Sequence, residues 1–248
     1  MELARSGTVG SRNGRSEALL GVRRLAAAVA AGAIAGAVIG GIGGRLAMLL
    51  LRLTSDPNLH GRLTDDGFTI GIVSLGTLFL LVLTTVTGAV GGVLYLAVRS
   101  WLPERARPWL AGVITGLIGG AAIIRPGGID FTRLEPLWLA VAMFVALPAA
   151  YGVATSLLGE RFLREGSAIL RSRPWLAALV FLLPIGLLGP TGIGVAIAAL
   201  ALAFLGPRAP VLGAIWGSAP VTWLGRAALA AVVGIAFVEL ARDVSAVL

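Results

Sequence analysis

The chain has 248 residues, of which 57% are hydrophobic and 13% charged, and its formal net charge is +8. Soluble domains carry roughly 25% charged residues, so this composition excludes an ordinary soluble domain and favours an integral membrane protein. The absence of cysteine excludes disulfide frameworks, thiolate metal sites and cysteine nucleophiles. The arginines lie mostly in short loops between apolar runs, which indicates membrane orientation rather than binding to nucleic acid.

The amino-terminal segment differs in composition from the rest of the chain. Residues 1–24 are polar and carry five arginines, whereas the apolar runs begin at residue 25. Polar, charged segments of this kind do not bury enough apolar surface to fold alone. We therefore predict a disordered basic tail over residues 1–24 on the cytoplasmic side, followed by a single transmembrane helical domain over residues 25–248.

A regular glycine spacing marks the first apolar run, residues 25–54. Its glycines recur every four residues, at Gly32, Gly36, Gly40 and Gly44, and the third run repeats the spacing at Gly112, Gly116 and Gly120. On a helix this spacing forms a stripe without side chains, which allows the close backbone approach that drives helix association in lipid. The sequence thus predicts a glycine zipper that packs neighbouring helices.

Seven apolar segments predict an all-α fold, a polytopic transmembrane helical bundle. They cover residues 25–54, 70–98, 109–124, 137–158, 175–188, 191–205 and 220–240. Six spans are the alternative, because residues 175–205 are long enough for one tilted helix. The pair Gly189 and Pro190 interrupts that run, and such pairs mark turns, which favours seven.

The fourth apolar segment contains three residues with a predicted role in helix geometry or membrane depth. Trp138 and Tyr151 lie towards its two ends, as expected of aromatic side chains at the two membrane interfaces. Pro148 lies inside the segment and lacks the N–H that an interior helical residue donates, so we predict a kink there.

The distribution of arginine predicts the orientation. With seven spans and a cytoplasmic amino terminus, thirteen arginines fall in the inner segments and five in the outer segments. Positively charged loops remain on the cytoplasmic side, so we expect the loops at residues 54–69 and 125–136 to lie outside. These assignments place the protein in the plasma membrane as a multi-pass protein.

Arg45 is a charge within the first apolar run, and Glu239 lies near the end of the last one. At about 1.5 Å per helical residue both reach a similar depth towards the outer surface. Charges in lipid seek partners, so we predict an intramembrane ion pair between Arg45 and Glu239. Contact of Arg45 with the outer headgroups, or with a substrate, is the alternative.

Polar residues cluster in the two predicted outer loops. They are Asp65, Asp66, Arg125, Asp130 and Glu135. They form a candidate polar patch whose oxygens would suit Ca²⁺ or Mg²⁺, although capping or solvation is the more ordinary explanation of such loop acids. The single histidine excludes a multi-histidine metal site, and catalytic motifs are missing. We therefore expect no enzyme activity, metal or cofactor.

Four strings resemble a group of multi-spanning membrane proteins of actinobacteria. They are GGRLAM at residues 43–48, LTDDG at 63–67, GIDF with LEPLWLAVAMFVALP at 128–148, and VTWLGRA at 221–227. No activity is assigned to that group. The resemblance extends over most of the chain after residue 24 and implies a helical membrane domain without implying chemistry.

Two functions are consistent with these features. The first is a membrane scaffold or interaction protein that binds the bilayer and a membrane-protein partner or a second copy of itself, because glycine stripes and loop charges serve assembly. The alternative is a transporter or channel for a small solute, in which Arg45, Glu239 and the break at Gly189 line a path.

Overall fold

The computed structural model describes residues 3–54, 75–128, 131–132, 136–187, 215–216 and 218–248, with the single residues 189, 194 and 197. Side chains are described from Leu19 onward. Throughout these ranges the fold is all-α and contains no strand. The predicted fold class is confirmed at this level.

Seven α-helices form the described part of the chain. They are α1 (Leu3–Ala35), α2 (Gly44–Thr54), α3 (Leu75–Val98), α4 (Arg107–Ile123), α5 (Leu137–Phe162), α6 (Pro174–Gly186) and α7 (Ala219–Val247). A π-helical segment, Gly36–Gly43, joins α1 to α2 without a break, and a short 3₁₀ turn, Glu104–Ala106, precedes α4. Backbone hydrogen bonds within each helix leave few polar groups to satisfy, as a lipid environment requires.

The amino-terminal segment is helical from Leu3, which differs from the disordered tail predicted for residues 1–24. Helix nucleation is costly, whereas each further residue adds one hydrogen bond at little cost. The apolar part of α1 supplies the nucleus, so the helix extends backwards through the polar residues. Composition alone did not reveal this extension.

Five helices are long and apolar enough to cross a membrane. They are Leu19–Thr54, Gly76–Val98, Glu104–Ile123, Leu137–Phe162 and Ala219–Val247. They correspond to the first four predicted spans and the last one. The fifth predicted span is represented by the 13 residues of α6, and the sixth, residues 191–205, lies outside the described residues apart from single positions. By length and composition, the described chain therefore has five candidate membrane-spanning helices.

The helices pack in two groups that are joined by contacts with α5. The first contains α1, the π-helical segment and α3, with α6 against α1. The second contains α4 and α5, with α7 against α4. Contacts of α1 and the π-helical segment with α5 join the two groups.

Two apolar clusters define the two ends of the bundle. One joins Val22 and Val29 of α1 to Ala177 and Phe181 of α6. The other contains Leu51 of α2 with side chains that follow α4, begin α5 and end α7, among them Ile124, Val141 and Leu240. We call the first the Glu160 end, after the carboxylate described below, and the second the Thr54 end.

Candidate functional site

Glu160, in the last turns of α5, accepts hydrogen bonds from Tyr95 and Arg99 and forms an ion pair with Arg107. Tyr95 Oη donates to Glu160 Oε1 at 2.8 Å. Arg99 binds both carboxylate oxygens, with Nε 3.0 Å from Oε1 and Nη2 2.8 Å from Oε2. Arg107 Nη1 lies 3.0 Å from Oε1. We call Tyr95, Arg99, Arg107 and Glu160 the Glu160 cluster. Because its members come from α3, α4, α5 and the turn after α3, the cluster fastens three helices together.

Helical spacing explains why these side chains meet. Tyr95 lies near the end of α3 and Arg99 directly after it, four residues later, where its N–H still bonds to the carbonyl oxygen of Tyr95, so the two share one face. Ser156 and Glu160 have the same spacing on α5, and Ser156 Oγ donates to Tyr95 Oη at 3.0 Å. Gly159 lies between them, and a Cβ there would be 3.0 Å from Cε1 of Tyr95. The glycine thus leaves the space that the tyrosine ring occupies.

The charged side chains of the cluster differ in how much of each is exposed. Arg107 is the first residue of α4 and its side chain is 10% exposed, whereas those of Arg99 and Glu160 are 32% and 30% exposed. The hydrogen bond to Glu160 is the main reason why the pKa of Arg99 is raised above its ordinary value. Bidentate pairing of guanidinium with carboxylate combines charge with a fixed geometry. Arg99 and Glu160 therefore form a charged pair of defined geometry.

A row of hydroxyl groups extends from the Glu160 cluster into the bundle. Ser156 and Thr155 are buried on α5, and Tyr151 lies one turn earlier. Tyr151 Oη donates to the carbonyl oxygen of Gly88 on α3 at 2.8 Å. Tyr151 was predicted to be an interfacial anchor, and this prediction is wrong: the side chain enters the contact between α3 and α5, where Gly91 leaves room for its hydroxyl.

The helix α5 is continuous through Pro148. The carbonyl oxygen of Pro148 accepts a hydrogen bond at 2.7 Å from Oγ1 of Thr115 on α4. This contact adds a polar bond between α4 and α5 near the middle of the helix, where proline removes an N–H donor.

Glycine residues of α1 and α3 lie backbone to backbone. A Cβ at Gly32 would overlap the carbonyl oxygen of Gly88, and one at Gly36 would overlap that of Thr84. In return, a Cβ at Gly88 would lie 2.8 Å from Cα of Gly36, and one at Gly92 would overlap the carbonyl oxygen of Ala28. At these positions any side chain would force the helices apart.

The other predicted packing glycines do not all behave alike. Gly112 and Gly116 face α5, where a Cβ would lie 3.1 Å from the carbonyl oxygen of Ala149 and 2.9 Å from its Cβ, respectively. Gly120 faces α5 and α7, and a Cβ at Gly40 would lie 3.0 Å from Cβ of Thr84. Gly44 is different, because a Cβ there would have no described atom within 4 Å.

The π-helical segment explains the exception at Gly44. In a π-helix the hydrogen bonds run from residue i to i+5, so the turn is wider than in an α-helix. Four-residue spacing therefore no longer maintains one face from Gly36 to Gly44. Within the segment, Gly40 and Gly41 face α3, while Gly43 faces Leu147 of α5. The prediction that Gly44 continues the packing stripe is wrong within the described structure.

The structure places the predicted ion-pair residues as follows. Arg45 is half-buried near the start of α2 and is engaged by neighbouring groups. Glu239 is exposed on α7. The ion pairs of Glu104 and Glu160 lie at the other end of the bundle, in and beside the Glu160 cluster. The pairing of Arg45 with Glu239 stays a prediction.

Most of the predicted outer-loop patch falls outside the described residues. This applies to Asp65, Asp66, Asp130 and Glu135, while Arg125 is described and exposed after α4. Within the described chain, His, Asp and Glu side chains form no group of three that would suit a metal ion.

Tryptophan side chains surround the start of α7. Arg226 Nε donates to the carbonyl oxygen of Trp101 at 2.8 Å, and its guanidinium carbon lies 5.6 Å from the ring centre of Trp223. Trp101 also lies against Trp216, with 5.3 Å between ring centres. These contacts hold α7 to the loop between α3 and α4, so α7 begins at the Glu160 end.

No family model, curated protein or solved structure matches this chain. The resemblance to actinobacterial membrane proteins therefore stays a prediction.

Proposed function

We propose that this protein is a multi-pass scaffold of the plasma membrane, with a cytoplasmic amino terminus, that assembles through the exposed face of α7. The observation that carries this proposal is the position of α7. Of its 29 residues, four are buried: Gly225, Ala236, Leu240 and Val247. Among the described residues this helix packs mainly on α4, and most of its other positions are exposed to lipid or to a partner.

The outer face of α7 is suited to close helix contact. Ala227, Ala231 and Gly234 recur at intervals of four and three residues, on a side of α7 that is largely exposed. A Cβ at Gly234 would have no described atom within 4 Å. Small residues at such spacing permit the backbone approach that associates helices in lipid. A second copy of the chain is the partner we propose.

The packing of the bundle favours a static role. The close approach of Gly32 and Gly36 to Gly88 and Gly92 supports a glycine zipper between the first and second spans. The Glu160 cluster adds charged hydrogen bonds at one end. Rigid contact at several levels suits a scaffold better than a carrier whose helices must move past one another.

The positions of α6 and α7 support seven spans. α6 begins at the Glu160 end, where its residues pack on Val22 and Val29 of α1. α7 also begins there, at Trp101. Because α6 and α7 both begin on the same side of the membrane, the chain between these two starts crosses the membrane an even number of times. Two such crossings, together with the five helices that are long enough to span a membrane, agree with the predicted seven spans.

A single-cysteine experiment tests self-assembly, since the native chain has no cysteine. Gly234→Cys in native membranes should form a disulfide-linked product of twice the chain mass on mild oxidation. Ala236→Cys, on the buried side of the same helix, serves as the control and should remain monomeric. A monomer for both variants, or equal dimer for both, would refute assembly through this face.

A path for a small solute is the second candidate, favoured by the buried hydroxyls of Tyr95, Thr155 and Ser156. Such a row, next to ionised groups, is typical of proton and solute pathways. Vesicles that contain the purified chain and a pH-sensitive dye would test it. Proton flux that is abolished by Tyr95→Phe would support this candidate over the scaffold.

A further inference from the structure

The Glu160 cluster contains more positive than negative charge. Arg99 and Arg107 both bind Glu160, which is the one carboxylate that packs between them among the described residues. Glu104 is the next described carboxylate, but it lies 3.8 Å from Arg107 Nη2 and its side chain is 88% exposed. Two guanidinium groups therefore share one packed carboxylate. The packed part of the cluster carries one net positive charge.

The hydrogen-bonding capacity of the two arginines is also incompletely used. The Nε–H of Arg107 is buried and has no hydrogen-bond partner among the described residues, in a residue that is 8% exposed. Arg99 directs Nε and Nη2 to Glu160. Because the guanidinium is planar, its Nη1 hydrogens project away from that carboxylate. The Arg99 side chain is 32% exposed, so part of it is accessible to an incoming acceptor.

The cluster lies at the level where a membrane carries phosphate. Arg99 directly follows the span Gly76–Val98, and Arg107 lies near the start of the span Glu104–Ile123. Span ends meet the headgroup layer of the bilayer. Arg107 is also the first residue of α4, and the amino-terminal end of a 17-residue helix favours negative charge.

We propose that Arg99 and Arg107 bind a phosphate group at the Glu160 end of the bundle. Phosphate supplies several acceptor oxygens and the negative charge that balances the second guanidinium, and arginine binds it through two parallel hydrogen bonds. The group is that of an anionic phospholipid headgroup or of free inorganic phosphate. This inference is independent of assembly through α7.

Binding is measured on the full chain, purified in detergent and returned to vesicles of phosphatidylcholine with or without phosphatidylglycerol. Native mass spectrometry counts retained phosphatidylglycerol, and tryptophan fluorescence follows thermal unfolding. We expect one retained phosphatidylglycerol molecule per chain. We also expect a higher midpoint of thermal unfolding in vesicles with phosphatidylglycerol than in vesicles without it. Loss of one charged hydrogen bond in Arg99→Gln should weaken binding about tenfold. A higher midpoint of thermal unfolding on addition of inorganic phosphate to vesicles of pure phosphatidylcholine would identify free phosphate as the ligand.

Two further variants control for charge and for folding. Arg105→Gln removes the same charge from an exposed position in the same loop and should bind like the native chain. Arg99→Lys keeps a cation without the planar fork, so its binding should lie between that of the native chain and that of Arg99→Gln. The proposal is overturned if neither probe binds, if Arg105→Gln weakens binding as much as Arg99→Gln, or if all variants bind equally.

Discussion

The contact between α1 and α3 gives a sharp test of glycine packing through the substitution Gly88→Ala. The new Cβ would overlap the carbonyl oxygen of Gly32 and lie 2.8 Å from Cα of Gly36. Carbon atoms pack at about 3.5 Å, so the two helices must separate by about 0.7 Å at this level. Both obstacles are backbone atoms, which no change of rotamer can move.

The expected loss follows from two opposing effects. Overpacking of a filled site costs typically about 1–3 kcal/mol, whereas alanine is better than glycine inside a helix by about 1 kcal/mol. We therefore expect Gly88→Ala to lower the free energy of unfolding by up to about 2 kcal/mol. Gly44→Ala is the matched control, because that position is helical and open within the described structure. It should gain up to about 1 kcal/mol.

Thermal unfolding of both variants in the same detergent provides the measurement, and the six native tryptophans provide the signal. We expect a lower midpoint for Gly88→Ala and an unchanged or higher one for Gly44→Ala. Equal midpoints for the two variants would show that the approach of α1 to α3 does not limit stability, and the reasoning from backbone overlap would fail.

Three further predictions concern the charged residues and the orientation. Glu160→Gln leaves two guanidinium groups without their carboxylate and should lower the free energy of unfolding by about 2–3 kcal/mol in chemical denaturation, so a native-like midpoint would contradict the role of the cluster. Ser100→Cys should react with an impermeant thiol reagent only after cells are opened, and Asn58→Cys should react in intact cells; the reverse pattern would invert the orientation. Arg45→Leu and Glu239→Leu should each destabilise while the double variant recovers much of the loss, whereas additive losses would exclude the pair.

The fold class could be predicted from the sequence because several apolar runs are long enough to cross a bilayer, and such runs are typical of transmembrane helices. Glycine spacing also located residues that pack tightly, since Gly32 and Gly36 face α3 in the structure. The π-helical segment, which alters the face of Gly44, was not predicted. Whether a helix forms α-helical or π-helical hydrogen bonds depends on the helices packed against it. No residue spacing in this sequence indicates the change.

The Glu160 cluster was not predicted from the sequence, although two signals were present. Tyr95 with Arg99, and Ser156 with Glu160, occur at helical spacing at the ends of two apolar runs. Glu160 follows the fourth predicted span in a loop that contains several arginines. Those arginines served to predict membrane orientation, and Glu160 was not singled out. Which arginine a glutamate binds is decided by the order of helices in space, and this order is not encoded in any local pattern.

The π-helical segment has a consequence for insertions and deletions in the chain. Each of its hydrogen bonds encloses one residue more than an α-helical bond does, as after a one-residue insertion into a regular helix. Deletion of one residue between Gly36 and Gly43 would therefore restore ordinary helix and leave the residues beyond it on nearly the same faces, whereas the same deletion in a regular α-helix rotates everything beyond it by about 100°. A one-residue deletion in α1, ahead of the segment, would by contrast turn Gly43 away from Leu147 and give Arg45 another neighbour. The π-helical segment is thus the part of the first span in which the loss of one residue would leave the second half facing the same neighbouring helices.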